Sequence, residues 1–415
     1  MEVKDSVHYY LKCETCKATF NGDEGLYQCR ICGGRLWVQY GDRVIKDNWI
    51  DLSKQGIWKF WRLLPINNPA NAVTLGEGNT PLLKCQSLAR LENLAELWIK
   101  YEGTNPTGSF KDRNAAVSVT KAVELKAKAV AIASDGNAGP AVAAYAAKAG
   151  LPCYVFMPSC TAPQDIAHAM TFGAQVFKVR GEGMVNDCIA LIEELKDDFQ
   201  WHHLTTAGPV NPYQLEGPKT IAYEIALDFG GVMPDWIAIP AGGGGLLVAV
   251  FRALKELECF GLIDRLPRLL CVQAEACAPI VKAFQERRPI EQWRNPGPTK
   301  AIPIAVPLPL DGAEAIRALD ECGGQAVSVN ETEISHAQDL LASREGIYAS
   351  AAGSVALAGA LKARKLGIIN ASHRVVVLVT ASGLKALGSY ASGLLDRVPE
   401  VTGVEDVRKS LRGLF

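Results

Sequence analysis

The feature that most restricts the fold is an alternation that begins near residue 84. Short apolar runs of β type recur between alanine-rich stretches of helical character. The runs are Ala129 to Ala133, Cys153 to Met157, Gln175 to Val179, Trp236 to Ile239, Leu269 to Gln273 and Val375 to Val379. Runs that are apolar on both faces must be covered on both sides, and parallel strands layered between amphipathic helices meet that condition. The chain therefore reads as α/β with parallel sheets. In open sheets of this kind ligands bind beyond the carboxyl ends of the strands. The residues that follow each run are where chemistry is expected.

Three stretches stand out there, and a fourth precedes the first run. Thr104 to Arg113 is turn-rich and leads into the helix-like Asn114 to Val117. Lys111, held at the mouth of an α/β unit and stripped of water, would have a lowered pKa and a usable amine, a nucleophile and Schiff-base former. Ser134, Asp135, Gly136, Asn137 and Ala138 follow the first run and open a helix expected from Pro140 to Lys148; its free amides and positive dipole end would hold a carboxylate. Gly242, Gly243, Gly244 and Gly245 sit between a strand ending at Pro240 and a helix expected from Leu247 to Leu257. Backbone amides there can converge on a phosphate without side-chain obstruction, although neither GxGxxG nor GK[ST] is present. Thr380 follows the last run, where its hydroxyl could bond a neutral ring nitrogen or equally cap a helix.

The amino-terminal residues form a separate problem. Cys13 and Cys16 are followed, after twelve intervening residues, by Cys29 and Cys32. Two CxxC knuckles at this spacing present four thiolates in the tetrahedral set that zinc prefers, and a full shell of cysteine argues for a structural ion. A redox pair is the alternative. Residues 1–40 are too few to bury a core unaided, so metal binding would supply the folding energy. Tyr9, Leu11, Phe20, Leu26, Leu36 and Val38 are candidates for short strands around the site. Residues 41–83 read as a linker and docking segment. Its aromatic cluster, Trp58 to Pro65, suits a packing surface better than a ligand cage, and Leu75 to Leu83 reads as a turn into the main body.

Taken together these stretches resemble the tryptophan-synthase-β-like (fold type II) pyridoxal-phosphate enzymes, and most closely threonine synthase and its relatives. The likeness runs over almost the whole chain. It includes Leu75 to Leu82, Ser109-Phe110-Lys111-Asp112-Arg113, Gly136-Asn137, Gly173 to Val176, Asn211-Pro212-Tyr213, Leu215-Glu216-Gly217 and Lys219-Thr220. The resemblance implies a catalytic region over 84–415, with a smaller parallel-sheet α/β subdomain at about 115–210 and a larger one from the remainder. It implies that Lys111 carries pyridoxal 5'-phosphate and that Phe110 and Asn137 contact it. Gly242 to Gly245 would grip its phosphate, and Thr380 would meet its pyridine nitrogen. Ser134 to Ala138 would bind the substrate's carboxylate. A branch of threonine synthases carries a similar zinc ribbon, and members of the family usually form dimers.

Departures from the threonine-synthase pattern bear on the reaction. Gly208, Pro209 and Gln214 stand where an Asn-Ser pair and an Arg usually bind the phosphate of O-phosphohomoserine, and a charge-assisted fork is not a small loss. Asp135 replaces a neutral hydroxyl residue. It would repel a phosphate dianion, and could instead pair with an amine, accept a hydroxyl bond or act as a base; a role as helix cap is equally open. The expectation is therefore a lyase of ammonia-lyase or dehydratase type, acting on a small amino acid whose leaving group is not phosphate. Asp135 and Gln214 join Lys111 as candidate catalytic or substrate contacts. Authentic threonine synthase is the alternative, and a non-catalytic binding protein of the same fold a further one.

Composition narrows the rest. With 43 basic and 44 acidic residues, there is no field to draw in nucleic acid or an anionic membrane. No apolar run is long enough for a membrane span, and Met1 to Asp5 lacks the apolar core of a signal peptide. The scattered cysteines suit a reducing cytosol. His168, His202 and His203 follow no metal spacing.

Overall fold

Ala129–Ala133 is buried at every position, and so is Trp236–Pro240, so neither strand keeps a face for solvent. Each lies inside a parallel sheet with helices on both sides. The structure, a computed structural model, describes residues 9–41, 49–181 and 184–386. In chain order the strands are β1 (Tyr9–Cys13), β2 (Thr19–Asn21), β3 (Leu36–Tyr40), β4 (Leu82–Lys84), β5 (Glu96–Tyr101), β6 (Ala129–Ala133) and β7 (Cys153–Pro158). They continue as β8 (Gln175–Val179), β9 (Trp201–His203), β10 (Trp236–Pro240), β11 (Arg268–Ala274), β12 (Gln325–Val329) and β13 (Arg374–Val379). All six runs expected from the sequence are present, and β4, β5, β9 and β12 are additional.

The larger sheet has the order β12-β11-β10-β13-β5-β4, parallel throughout except for β4 against β5. The smaller has the order β8-β7-β6-β9 and is wholly parallel. Side chains alternate across each strand, so Ile237 and Ile239 face one apolar layer and Ala238 the other. The first layer includes the helices Glu216–Asp228 and Gly245–Cys259; the second centres on Ala351–Lys365. In the smaller sheet Val130 and Ile132 pack on the helices Lys111–Glu124 and Ala138–Ala149, while Ala131 and Ala133 face Val185–Phe199. The helix Lys111–Glu124 carries the chain from β5 in one sheet to β6 in the other.

The amino-terminal ribbon is an antiparallel sheet of order β2-β1-β3, with Tyr9, Leu11 and Cys13 inward. Leu26 packs on this small core without joining a strand. The ribbon is docked on the main body: Tyr213 is part of its core, Tyr40 Oη donates to Glu216 at 2.7 Å, and Arg252 donates to the Val38 carbonyl at 2.6 Å. The aromatic cluster does serve as packing surface. Phe60 stacks on Trp49 at 5.5 Å and meets Tyr223 at 5.2 Å. Among the described residues no helix is long and apolar enough to cross a membrane.

Candidate active site

The carboxyl ends of β6, β10 and β13 converge on one cavity, as the rule for open sheets requires. Phe110, Lys111, Ser134, Asp135, Asn137, Ala138, Gln214, Gly242, Gly243, Gly244, Gly245 and Thr380 all line it. Of the residues expected in the main body only Gly136 is outside the lining; a Cβ there would come within 3.0 Å of Pro303.

Lys111 is the first residue of its helix rather than part of the turn before it. Its neighbours explain how it is held. Asp112 accepts the Thr107 amide and hydroxyl, the latter at 2.8 Å, which closes the preceding turn. Arg113 is wholly buried and forks onto Glu102 and Glu224, with bonds of 2.7 to 2.9 Å. Gly217 lets the helix Glu216–Asp228 approach, since a Cβ on it would stand 2.0 Å from the Arg113 carbonyl. The Phe110 amide donates to the Thr380 carbonyl at 3.0 Å and the Ser382 amide to that of Gly108 at 2.9 Å, which ties the loop to the end of β13. Leu384 is capped by the Ser382 hydroxyl at 3.2 Å, so Thr380 is not needed as a cap.

The Lys111 amine donates to Thr206 Oγ1 at 3.0 Å and lies 4.8 Å from the centroid of the Phe110 ring. Burial pushes its pKa down to about 8, against the opposing pull of Asp135 and Asp311. Burial lifts the Asp135 carboxyl to about 6, with Lys111 pulling the other way. Asp135 does not cap the following helix. Ser134 Oγ accepts the Gly139 amide at 2.9 Å and the Gly136 amide at 3.2 Å, and donates to the Gly136 carbonyl at 3.1 Å. The hydroxyl of Ser134 is thus committed to shaping its own turn, and Asp135 is left on the cavity wall. Asn137 stands at the start of the helix Ala138–Ala149 with no capping bond from its side chain.

The glycine loop forms a cup. A Cβ on Gly242 would meet Ile304 Cα at 3.0 Å and one on Gly244, whose φ is +92°, would meet the Asp311 carbonyl at 2.9 Å. Gly243 lines the cavity, and a Cβ on it would meet nothing within 4 Å. The helix Gly245–Cys259 begins without a side-chain cap, so its first amides remain for an anion.

Residues not anticipated from the sequence also line the cavity: Asn114, Thr205, Thr206 and Asp311. Asn114 Nδ2 donates to the carbonyl and to Oε1 of Gln214, both at 2.8 Å. That leaves Asn114 Oδ1 and Gln214 Nε2 buried without a partner. Asn114 was findable, because three residues beyond Lys111 on a helix is the same face. At the other end of the molecule the sulfurs of Cys13, Cys16, Cys29 and Cys32 all lie within 4.8 Å of one another, with pairs at 3.5 and 3.6 Å. A zinc–sulfur bond of about 2.3 Å gives a tetrahedral edge of roughly 3.8 Å, so the four thiols suit that ion.

The family described as pyridoxal-phosphate dependent enzyme matches residues 73–381. The chain belongs to that family. Threonine synthase of Methanocaldococcus jannaschii is 38% identical over 380 residues, 90% of this chain and 92% of that one. Threonine synthase of Methanosarcina acetivorans is 40% identical over 384 residues, with 91% and 92% covered. Among solved structures, the threonine deaminase of T.th. superposes with a TM-score of 0.61 at 26% identity, covering 73% of this chain and 92% of its own. Diaminopropionate ammonia lyase from Escherichia coli superposes with a TM-score of 0.64 at 20% identity, covering 77% and 88%, a likeness of fold alone. The cavity suits the family's cofactor on its own terms. It offers a desolvated lysine and a side-chain-free cup at an uncapped helix start.

Proposed function

We propose that this chain is a threonine synthase, forming threonine and phosphate from O-phosphohomoserine and water with pyridoxal phosphate on Lys111. The observation that carries the reading is the similarity to two archaeal threonine synthases across nine-tenths of each chain. This reverses the preference that the sequence alone suggested, where the replaced phosphate contacts favoured elimination.

When bound, pyridoxal phosphate draws electrons from the substrate's α-carbon and acidifies its hydrogen. The remaining tasks fall to the chain. Lys111, whose pKa burial lowers to about 8, would hold the cofactor through its aldehyde and move the substrate's α-proton. Gly242 to Gly245 would hold the cofactor's phosphate on their amides, with Asn137 toward its phenolic oxygen and Thr380 toward its ring nitrogen. The loop from Ser134 to Ala138 receives the substrate's carboxylate. Gln214 Nε2, buried and unpartnered, donates to the substrate's leaving phosphate in place of the missing arginine. Cys13, Cys16, Cys29 and Cys32 hold a structural zinc. A homodimer in the cytosol completes the proposal.

One observation favours a second reading, a lyase releasing ammonia from a small amino acid. Asp135 lines the cavity, where its carboxylate opposes a phosphate dianion and suits a second amine or a hydroxyl. Incubation of the holoenzyme with O-phosphohomoserine separates the two. Threonine and phosphate in equal amounts support the synthase. No threonine there, with keto acid and ammonia from hydroxy or diamino acids, supports the lyase.

A further inference from the structure

Arg35 lies three residues beyond the last cysteine of the ribbon, yet its guanidinium is buried against the catalytic body. Nη2 donates to Asp311 Oδ1 at 2.6 Å and Nη1 lies 3.2 Å from Glu314 Oε2. The guanidinium also stacks over the Trp37 ring at 3.7 Å. Asp311 is buried and lines the cavity. Its Oδ2 accepts the Gly208 amide at 3.2 Å, and its own amide donates to the Gly243 carbonyl at 3.0 Å. A Cβ on Gly245 would stand 3.0 Å from Oδ2. One carboxylate therefore braces the Gly208 turn and the glycine cup together. The absence of a side chain at position 208 makes room for the ribbon's arginine: a Cβ there would be 2.1 Å from Arg35 Nη2.

We propose that Arg35 is a positioning residue of the active site, which neutralises and aims Asp311 so that Gly242 to Gly245 can hold a phosphate. The ribbon is then a working part of the anion cup and not only an appendage. The inference rests on the cofactor reading above. Its physical core is the sign of the charge. Without the guanidinium, Asp311 is a buried carboxylate beside a cup built for an anion, and like charges repel strongly where water is excluded.

Holoenzyme carrying R35M, D311N or both is dialysed, and pyridoxal phosphate is titrated back while visible absorption reports binding. Zinc content and melting temperature are followed in parallel. R35M is expected to weaken cofactor binding at least tenfold with its zinc retained. The double variant is expected to recover most of that loss, because a neutral amide still accepts the Gly208 amide without repelling the phosphate. Unchanged affinity in R35M overturns the proposal, and so does a double variant that binds no better than R35M, the outcome of a mere docking role. Should R35M not fold, R35Q decides: it keeps a donor for Asp311 without the charge, so weakened binding is expected, and binding as tight as wild type overturns the proposal. Wild-type protein that binds no pyridoxal phosphate would defeat the cofactor reading instead.

Discussion

Stripping the cofactor and following how fast Lys111 recaptures pyridoxal phosphate, as a function of pH, tests whether burial has activated this amine. Burial moves its pKa from 10.5 to about 8, with Asp135 and Asp311 partly restoring it. At pH 7 an amine of pKa about 8 is neutral in roughly one molecule in ten, against about one in 3,000 for an unshifted lysine, a gain of roughly 300-fold. Stopped-flow absorption should show a capture rate that climbs with pH and levels off near about 8, the pKa that burial sets. Asp135→Asn removes a charge that holds protons on the amine, so the midpoint should fall further. The same shift leaves the folded, cofactor-free protein with fewer protons than the unfolded chain between about pH 8 and 10.5, so its stability should rise across that window. A capture midpoint at the ordinary lysine value, or one indifferent to Asp135→Asn, would refute the desolvation argument.

The packing and the cysteine cluster carry further expected outcomes. Arg113→Met leaves Glu102 and Glu224 buried around an apolar side chain. Unfolding in urea should show a loss of about 3–5 kcal/mol, and a change below about 1 kcal/mol would contradict the role given to the fork. Gly243→Ala should melt like wild type, since a Cβ there meets no protein atom within 4 Å, yet bind pyridoxal phosphate far more weakly if this cavity-lining loop is the phosphate cup. Gly217→Ala, facing the Arg113 carbonyl at 2.0 Å, should instead destabilise the fold by about 1–3 kcal/mol or more. Metal analysis should find one zinc for the four cysteines of each chain. Cys29→Ser should abolish it and make the ribbon sensitive to protease; metal-free protein with an intact ribbon would count against the zinc assignment.

Much of this was legible in the sequence because the decisive signals are local. A buried parallel strand must be apolar along its length, and such runs gave β6, β7, β10, β11 and β13; the sixth, β8, is instead an edge strand whose Gln175, Phe177 and Lys178 are exposed. β5 was hidden by Lys100, whose charge is cancelled by Glu224 at 2.9 Å and bonded to the Thr80 carbonyl at 2.7 Å. Neither partner is adjacent in sequence. β9 has only three residues, two of them histidines, and His203 is accommodated by Glu193 and Thr205. In the cavity, loops that follow strands were readable as such, which located Asn137, the glycines and Thr380, whereas Lys111 was legible from its turn-rich approach to a helix. Asp311 and Arg35 were not, because their meaning lies in a contact across 276 residues. Ser134 lines the cavity as expected, and that its hydroxyl also ties its own turn, leaving Asp135 on the cavity wall, is a matter of tertiary geometry.

The most direct test reduces the holoenzyme with borohydride, digests it and maps the peptides by mass spectrometry. One pyridoxyl group per chain, on Lys111, is the expected result. A label on any other lysine, or none at all, would contradict the assignment on which the site, the chemistry and the role of the glycine cup depend.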